Sequence, residues 1–191
     1  MKKIIFDLDD TLYSSKNLRD KREEKIIEFL GEKAFPYFEL KKNGKGTIES
    51  FKLLGFSREE FFQVINSVPI NIQRDDLLVQ ILGKLKEKYE LIVLSNSSRE
   101  SVHKVLKELG VFYLFNRIYA GEDFLNEKPH EECFFMVEKN DICVGNSYRK
   151  DLDIPRRKGA LTVLIGKKSP ADFNIGNIYD IEEVIYRVST A

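Results

Sequence analysis

Five short apolar runs, separated by stretches of helical periodicity, constrain this chain more than any other feature. They are Lys3-Ile4-Ile5-Phe6, Leu91-Ile92-Val93-Leu94, Arg117-Ile118-Tyr119-Ala120, Ile142-Cys143-Val144 and Leu161-Thr162-Val163-Leu164-Ile165. Each is of strand length and rich in β-branched residues, and runs this apolar read as strands covered on both faces. Between them Leu77, Leu78, Ile81, Leu82 and Leu85 repeat at three- and four-residue spacing, and Val102, Val105, Leu106 and Leu109 do so again before Gly110. Ser98 is placed to cap the second of these helices. Pro129 is expected in the first turn of a further helix through Phe134, Phe135 and Val137, because the N–H it lacks would be unpaired there anyway. Alternation of strand and helix predicts an α/β fold, a Rossmann-like doubly wound parallel sheet.

One interval is too long for that rhythm. From Asp7 to Ser95 the chain advances 88 positions, whereas a βαβ unit needs only about 30 residues. Within the interval Ile26, Ile27, Phe29 and Leu30 show helical spacing, a Lys-Lys-Asn-Gly-Lys-Gly turn follows at 41–46, and Ser57 with Glu60 forms a capping box. The reading is an α/β core of residues 1–13 and 76–191 with a small helical cap, 14–75, inserted after strand one. Phe35, Tyr37 and Phe38 are expected in the cap's own core, and Lys41, Lys42 and Lys45 on a solvated turn.

Composition limits the partners. Among 191 residues, 31 Lys and Arg balance 31 Asp and Glu, and 42% are hydrophobic, which argues for a folded globular chain and against a globally basic nucleic-acid binder. No run approaches the roughly 20 apolar residues of a membrane span. A cytoplasmic protein with neither nucleic-acid polymer nor membrane as partner is expected. Cys133 and Cys143 are the only cysteines and are read as reduced core thiols.

The polar residues that punctuate the strands point to phosphate chemistry. Strand one runs out into Asp7-Leu8-Asp9-Asp10-Thr11, strand two ends at Ser95-Asn96, Lys128 follows strand three, and strand four runs into Gly145-Asn146-Ser147 with Asp151 beyond. In a doubly wound sheet these carboxyl ends share one edge, where ligands bind. Asp7 and Asp9, two apart, face one pocket if the extended geometry persists past the strand. One carboxylate could then act as nucleophile while the other holds a proton. A phosphate dianion is repelled by each ionised carboxylate at about 4 kcal/mol for a 4 Å separation and an effective dielectric near 20. Lys128 can neutralise one charge. A hard cation on Asp7 and a strand-four carboxylate can cancel more, Mg²⁺ being the natural choice for oxygen ligands. Ser95 can orient a phosphoryl oxygen.

These residues, in this order, resemble the haloacid dehalogenase (HAD) superfamily: DxDxT at Asp7, Asp9 and Thr11, then Ser95, then Lys128, then Gly145-Asn146-Ser147 through Asp151. The resemblance implies an aspartyl-phosphate formed on Asp7, with Asp9 first protonating the leaving alcohol and then activating water. It implies phosphate binding by Ser95, the amide of Asn96 and Lys128, and bracing of the loop by Thr11. Mg²⁺ is implied on Asp7, the carbonyl of Asp9, Asn146 and Asp151. The superfamily's dehalogenases lack the second aspartate, so Asp9 argues for phosphate esters over haloacids. Asn146 stands where an aspartate is common. Its amide oxygen can still ligate Mg²⁺ but brings no charge, so affinity falls unless Asp151, or less readily Asp153, coordinates. Three accounts accommodate it: an enzyme with a weaker metal site, a phosphate-binding pseudoenzyme, or an introduced Asp-to-Asn change. The stretch Asp9 to Ser15 and the Lys-Gly turn look similar to pyrimidine nucleotidase-like members. That makes a small phosphorylated metabolite, first a nucleotide monophosphate and then phosphoglycolate or a sugar phosphate, the expected substrate.

Overall fold

In the computed structural model, which describes residues 2–166 and 170–190, six strands make one parallel sheet. They are β1 (Lys3–Phe6), β2 (Glu90–Leu94), β3 (Arg117–Tyr119), β4 (Ile142–Gly145), β5 (Leu161–Ile165) and β6 (Phe173–Ile175), in the order β3-β2-β1-β4-β5-β6. The chain lays β2 and β3 on one side of β1 and then returns to lay β4, β5 and β6 on the other, so strand order reverses between β1 and β4. A sheet of this kind opens a crevice at the carboxyl end of that junction.

The apolar runs occupy the centre of the sheet, where β2 and β4 are buried almost throughout, while β3 and β6 take the edges and are more exposed. The strand β6 was not expected from the sequence. It is only three residues, Phe173-Asn174-Ile175, with a polar centre, and needs a partner along one side alone.

Eight α-helices are described: α1 (Lys16–Leu30), α2 (Ala34–Lys42), α3 (Thr47–Leu53), α4 (Arg58–Asn66), α5 (Asp76–Lys86), α6 (Arg99–Glu108), α7 (Asp153–Arg157) and α8 (Ile181–Thr190). In α5 the inward stripe is Leu78, Ile81, Leu82 and Leu85, each contributing about 1.5–3 kcal/mol by burial. Leu77 lies off that stripe and is half exposed. Asp75 starts α5 by accepting the Leu78 amide at 2.9 Å, and Ser98 starts α6 by accepting that of Ser101 at 3.3 Å.

The described residues fall into two compact units, one drawn from 1–14 and 72–191 and the other Ser15–Asn71. The second, made of α1 to α4, has its own core around the fully buried Phe51. Its ring lies 4.9 Å from that of Phe61 and 5.5 Å from that of Tyr37, both edge to face. Ser57 and Glu60 close a reciprocal capping box at the start of α4. Tyr37 is buried and Phe38 packs beside it, but Phe35 is 74% exposed, because the inward face of α2 carries positions 34, 37 and 38.

The helix expected from Pro129 to Val137 does not form. Only a short 3₁₀ turn, Glu131–Phe134, is present. Groups that an α-helix would need are committed elsewhere: Lys158 Nζ donates to the Phe134 carbonyl at 2.6 Å and Lys3 Nζ to that of Met136 at 2.8 Å, while Asp141 accepts the Glu138 amide at 2.8 Å. Burial of Cys133, Phe134, Met136 and Val137 against the sheet's core rewards this irregular path. No helix among the described residues is long and apolar enough to cross a membrane.

Candidate active site

Asp7 is the first residue past β1, and its amide donates to the Val144 carbonyl at 2.9 Å, across the junction where strand order reverses. The chain then turns tightly, with the Thr11 and Leu12 amides both donating to the Leu8 carbonyl. Asp10 takes the left-handed conformation, φ 57°, which Asp adopts more readily than most residues. The turn brings Thr11 Oγ1 back to donate to Asp7 Oδ2 at 2.7 Å.

The side chain of Lys128, only 4% exposed, donates to Asp7 Oδ1 at 2.8 Å, Asp151 Oδ1 at 2.7 Å and the Leu94 carbonyl at 2.9 Å. An ammonium has three protons, so these partners account for all of them. The backbone of Lys128 is held as well. Its amide donates to Asn96 Oδ1 at 2.8 Å, and Asn96 Nδ2 donates to its carbonyl at 3.2 Å.

Burial by itself would favour a neutral amine, but the charges of Asp151 and Asp7 outweigh it and hold the Lys128 ammonium above its ordinary range. Burial also pushes the Asp151 carboxyl up, to about 6, with Lys128 opposing and the charge of Asp7 adding. The two shifts look opposed, since one favours the ion pair and the other disfavours the carboxylate. They agree once the trio is taken together: two carboxylates around one ammonium leave a buried negative charge uncompensated. The Lys128 charge is the firmer of the two, because it has two carboxylates to itself while they share it.

Asp151 sits in a single wide helical turn, Tyr148–Leu152. Its Oδ2 accepts the Ser147 amide at 3.0 Å, and its own amide donates to the Ser147 carbonyl at 2.8 Å. The carboxylate lies so close to Gly145 that a Cβ there would stand 2.5 Å from Asp151 Cβ and 2.8 Å from its Oδ2. Asn146 is exposed at the sheet edge. Asp153 is drawn to Arg157 at 3.6 Å.

Asp9 Oδ1 accepts the Tyr13 hydroxyl at 2.6 Å and Oδ2 accepts that of Ser97 at 2.8 Å. Ser95 is buried, with its Oγ accepting the Ser97 amide at 3.0 Å. Lys128 bridges Asp7 and Asp151, and Asp9 is joined through Ser97 to Ser95 on the neighbouring loop. Thr11, Asp7, Lys128 and Asp151 form one hydrogen-bonded set, to which Asn96 is joined through the backbone of Lys128.

Three contributions went unread in the sequence: the Tyr13 and Ser97 hydroxyls on Asp9, the side-chain grip of Asn96, and the demand for glycine at 145. The first had a signal in the strand pairing. Phe6 sits opposite Val93, and continuing that register brings the loop of Asp9 alongside Asn96 and Ser97.

A doubly wound parallel sheet with an acid–lysine–acid cluster at the carboxyl end of its switch point defines the class of protein. The chain belongs to the family of haloacid dehalogenase-like hydrolases, whose family model matches residues 4–142. No curated protein matches it in sequence. Among solved structures it is similar to a HAD phosphatase from Thermococcus onnurineus, with a TM-score of 0.70, 20% identity and coverage of 97% of this chain and 98% of that one. It is also similar to a β-phosphoglucomutase from Clostridium difficile, with a TM-score of 0.69, 17% identity and 100% of both chains covered. A magnesium-bound HAD-hydrolase from Bacillus subtilis gives a TM-score of 0.68 at 17% identity, covering 97% of this chain and 98% of that one. At these identities the likeness is one of fold.

Proposed function

We propose that this protein is a Mg²⁺-dependent phosphomonoester hydrolase in which Asp7 is the nucleophile. The observation that carries the reading is the Lys128 ammonium shared between Asp7 and Asp151. It fixes Asp7 Oδ1 in place and lowers the repulsion a phosphate dianion meets, while Thr11 separately holds Asp7 Oδ2. The trio still carries one uncompensated negative charge, so a dianion needs a further cation.

The donor set suits Mg²⁺. Among the described residues no three His, Cys, Asp or Glu side chains come together as a metal site, but Mg²⁺ commonly takes one or two carboxylates together with substrate phosphate and water. Asp7 and Asp151 would supply the carboxylates, with the Asp9 carbonyl and the Asn146 amide oxygen as neutral ligands. When bound, the ion offsets the negative charge of the phosphoryl group and of the carboxylates.

In the first half-reaction a carboxylate oxygen of Asp7 attacks phosphorus. The ester P–O bond breaks, and the departing oxygen takes a proton from Asp9. In the second, water attacks the phosphorus of the aspartyl-phosphate and gives its proton to Asp9, and the bond to Asp7 breaks to release phosphate. Both residues then stand as they began. Ser95 and the amide of Asn96 would bind the phosphoryl oxygens.

By its place in the chain, directly after the loop of Asp7 and Asp9, the unit Ser15–Asn71 is assigned the role of cap, selecting the substrate and excluding water. The substrate is a small phosphate monoester, with nucleotide monophosphates tested first, then phosphoglycolate and sugar phosphates. A solved phosphatase and a solved phosphoglucomutase of the same fold support that class of substrate. The purified protein with millimolar Mg²⁺ should release phosphate from p-nitrophenyl phosphate, and Asp7→Asn should abolish release. Turnover surviving in Asp7→Asn contradicts the proposal. A second reading, a phosphate-binding pseudoenzyme, is favoured by the neutral and exposed Asn146. Phosphate binding without turnover under any divalent cation would select it.

A further inference from the structure

Both carboxylate oxygens of Asp9 are engaged by hydroxyl groups. The Tyr13 hydroxyl donates to Oδ1 at 2.6 Å and the Ser97 hydroxyl to Oδ2 at 2.8 Å, both within the range of well-formed O–H···O bonds. The two donors come from different loops. Tyr13 lies four residues further along the turn that follows β1, where Asp9 and Tyr13 also pair as an isolated bridge. Ser97 belongs to the loop after β2. Its backbone is fixed at both ends, the amide on Ser95 Oγ at 3.0 Å and the carbonyl accepting the Gly121 amide at 2.8 Å.

A carboxylate gripped through one oxygen can still rotate about its last torsion, which is broad and soft. Gripped through both oxygens by two anchored segments, it cannot. Each oxygen nevertheless keeps a lone pair for a proton in transit, because an ionised carboxylate offers about four acceptor sites. We infer that Ser97 and Tyr13 are positioning residues that set the Asp9 carboxylate in the orientation from which it exchanges a proton with the ester oxygen and with water. This rests on the phosphatase reading above, in which Asp9 is the acid and base. Proton transfer by a positioned side chain contributes about 10²–10⁴-fold to rate, and misorientation forfeits part of that.

The alternative is that the two hydroxyls merely tie one loop to the other. Leaving-group dependence separates the two. An alkyl phosphate such as β-glycerol phosphate expels an alkoxide that needs a proton, whereas p-nitrophenyl phosphate expels a phenolate that leaves without one. The quantity to measure is kcat/KM, which reports the steps through departure of the leaving group, for the unaltered protein, Ser97→Ala, Tyr13→Phe and Ser97→Thr with Mg²⁺ present. Thermal unfolding of each variant is read first to establish that it folds. Ser97→Ala and Tyr13→Phe should each lose about tenfold or more on β-glycerol phosphate and about threefold or less on p-nitrophenyl phosphate. Ser97→Thr, which keeps the hydroxyl, should recover most of the difference. Equal losses on both esters, or no loss on either, overturn the inference and leave the phosphatase reading standing. If the unaltered protein turns over neither ester, that reading fails and the inference falls with it.

Discussion

The side chain of Asn96 grips the backbone of Lys128 at both of its polar groups, accepting from the amide at 2.8 Å and donating to the carbonyl at 3.2 Å. Only a carboxamide offers that donor and acceptor pair at this length. A residue placed after β2 therefore sets the height at which a lysine placed after β3 presents its ammonium to Asp7. Replacing Asn96 by Ala removes both bonds, for about 1–2 kcal/mol of stability. It also loosens Lys128, with a fall in kcat/KM of about a hundredfold, the scale of an ångström of misplacement. Asn96→Asp keeps the acceptor but sets a carboxylate against the Lys128 carbonyl, so it should rescue little. Steady-state kinetics beside urea unfolding check both effects.

Lys128 holds two buried carboxylates, and removing it leaves them facing each other without a counter-charge. Lys128→Met should cost about 3–5 kcal/mol, the usual penalty for breaking a buried pair from one side. Adding Asp151→Asn to that variant removes one orphaned charge and should restore part of the loss. Equilibrium denaturation of the two variants measures the recovery, and additive losses would argue against the shared-ammonium account.

At position 145 the constraint is steric. A Cβ added there meets the side chain of Asp151 well inside contact distance, and the buried carboxylate has little room to retreat. Gly145→Ala should cost about 1–3 kcal/mol through overpacking and weaken Mg²⁺ binding by moving Asp151. Thermal unfolding and calorimetric titration with Mg²⁺ read the two consequences separately.

On the proposed reading Asn146 would give the Mg²⁺ site an oxygen ligand without charge. Cation affinity in oxygen sites rises with the number of charged ligands, so Asn146→Asp should tighten Mg²⁺ binding by about tenfold. The titration needs no turnover. An unchanged or weaker affinity would mean that residue 146 does not face the ion.

The sequence made the sheet legible because its central strands are buried on both faces and so read as unbroken apolar runs. Phe173–Ile175 escaped notice because an edge strand of three residues leaves no such signature. Residues 129–137 misled for a related reason: their apolar spacing suits a helix, but the capture of backbone groups by Lys3, Lys158 and Asp141 is a long-range effect that spacing does not encode. The same division runs through the site. Asp7 and Ser95 stand directly after β1 and β2, while Lys128 and Asp151 lie further along the loops after β3 and β4 and were legible through the order of the motifs. The hydroxyls on Asp9 and the grip of Asn96 depend on which loops lie side by side, and that follows from strand order.

The most direct test of the account is chemical trapping of the acyl phosphate. Enzyme mixed with substrate and Mg²⁺, quenched in acid and reduced with borohydride, should yield homoserine at position 7 on peptide mass spectrometry, and Asp7→Asn treated alike should yield none. Phosphate release from an enzyme whose Asp7 never becomes reducible would contradict the central claim.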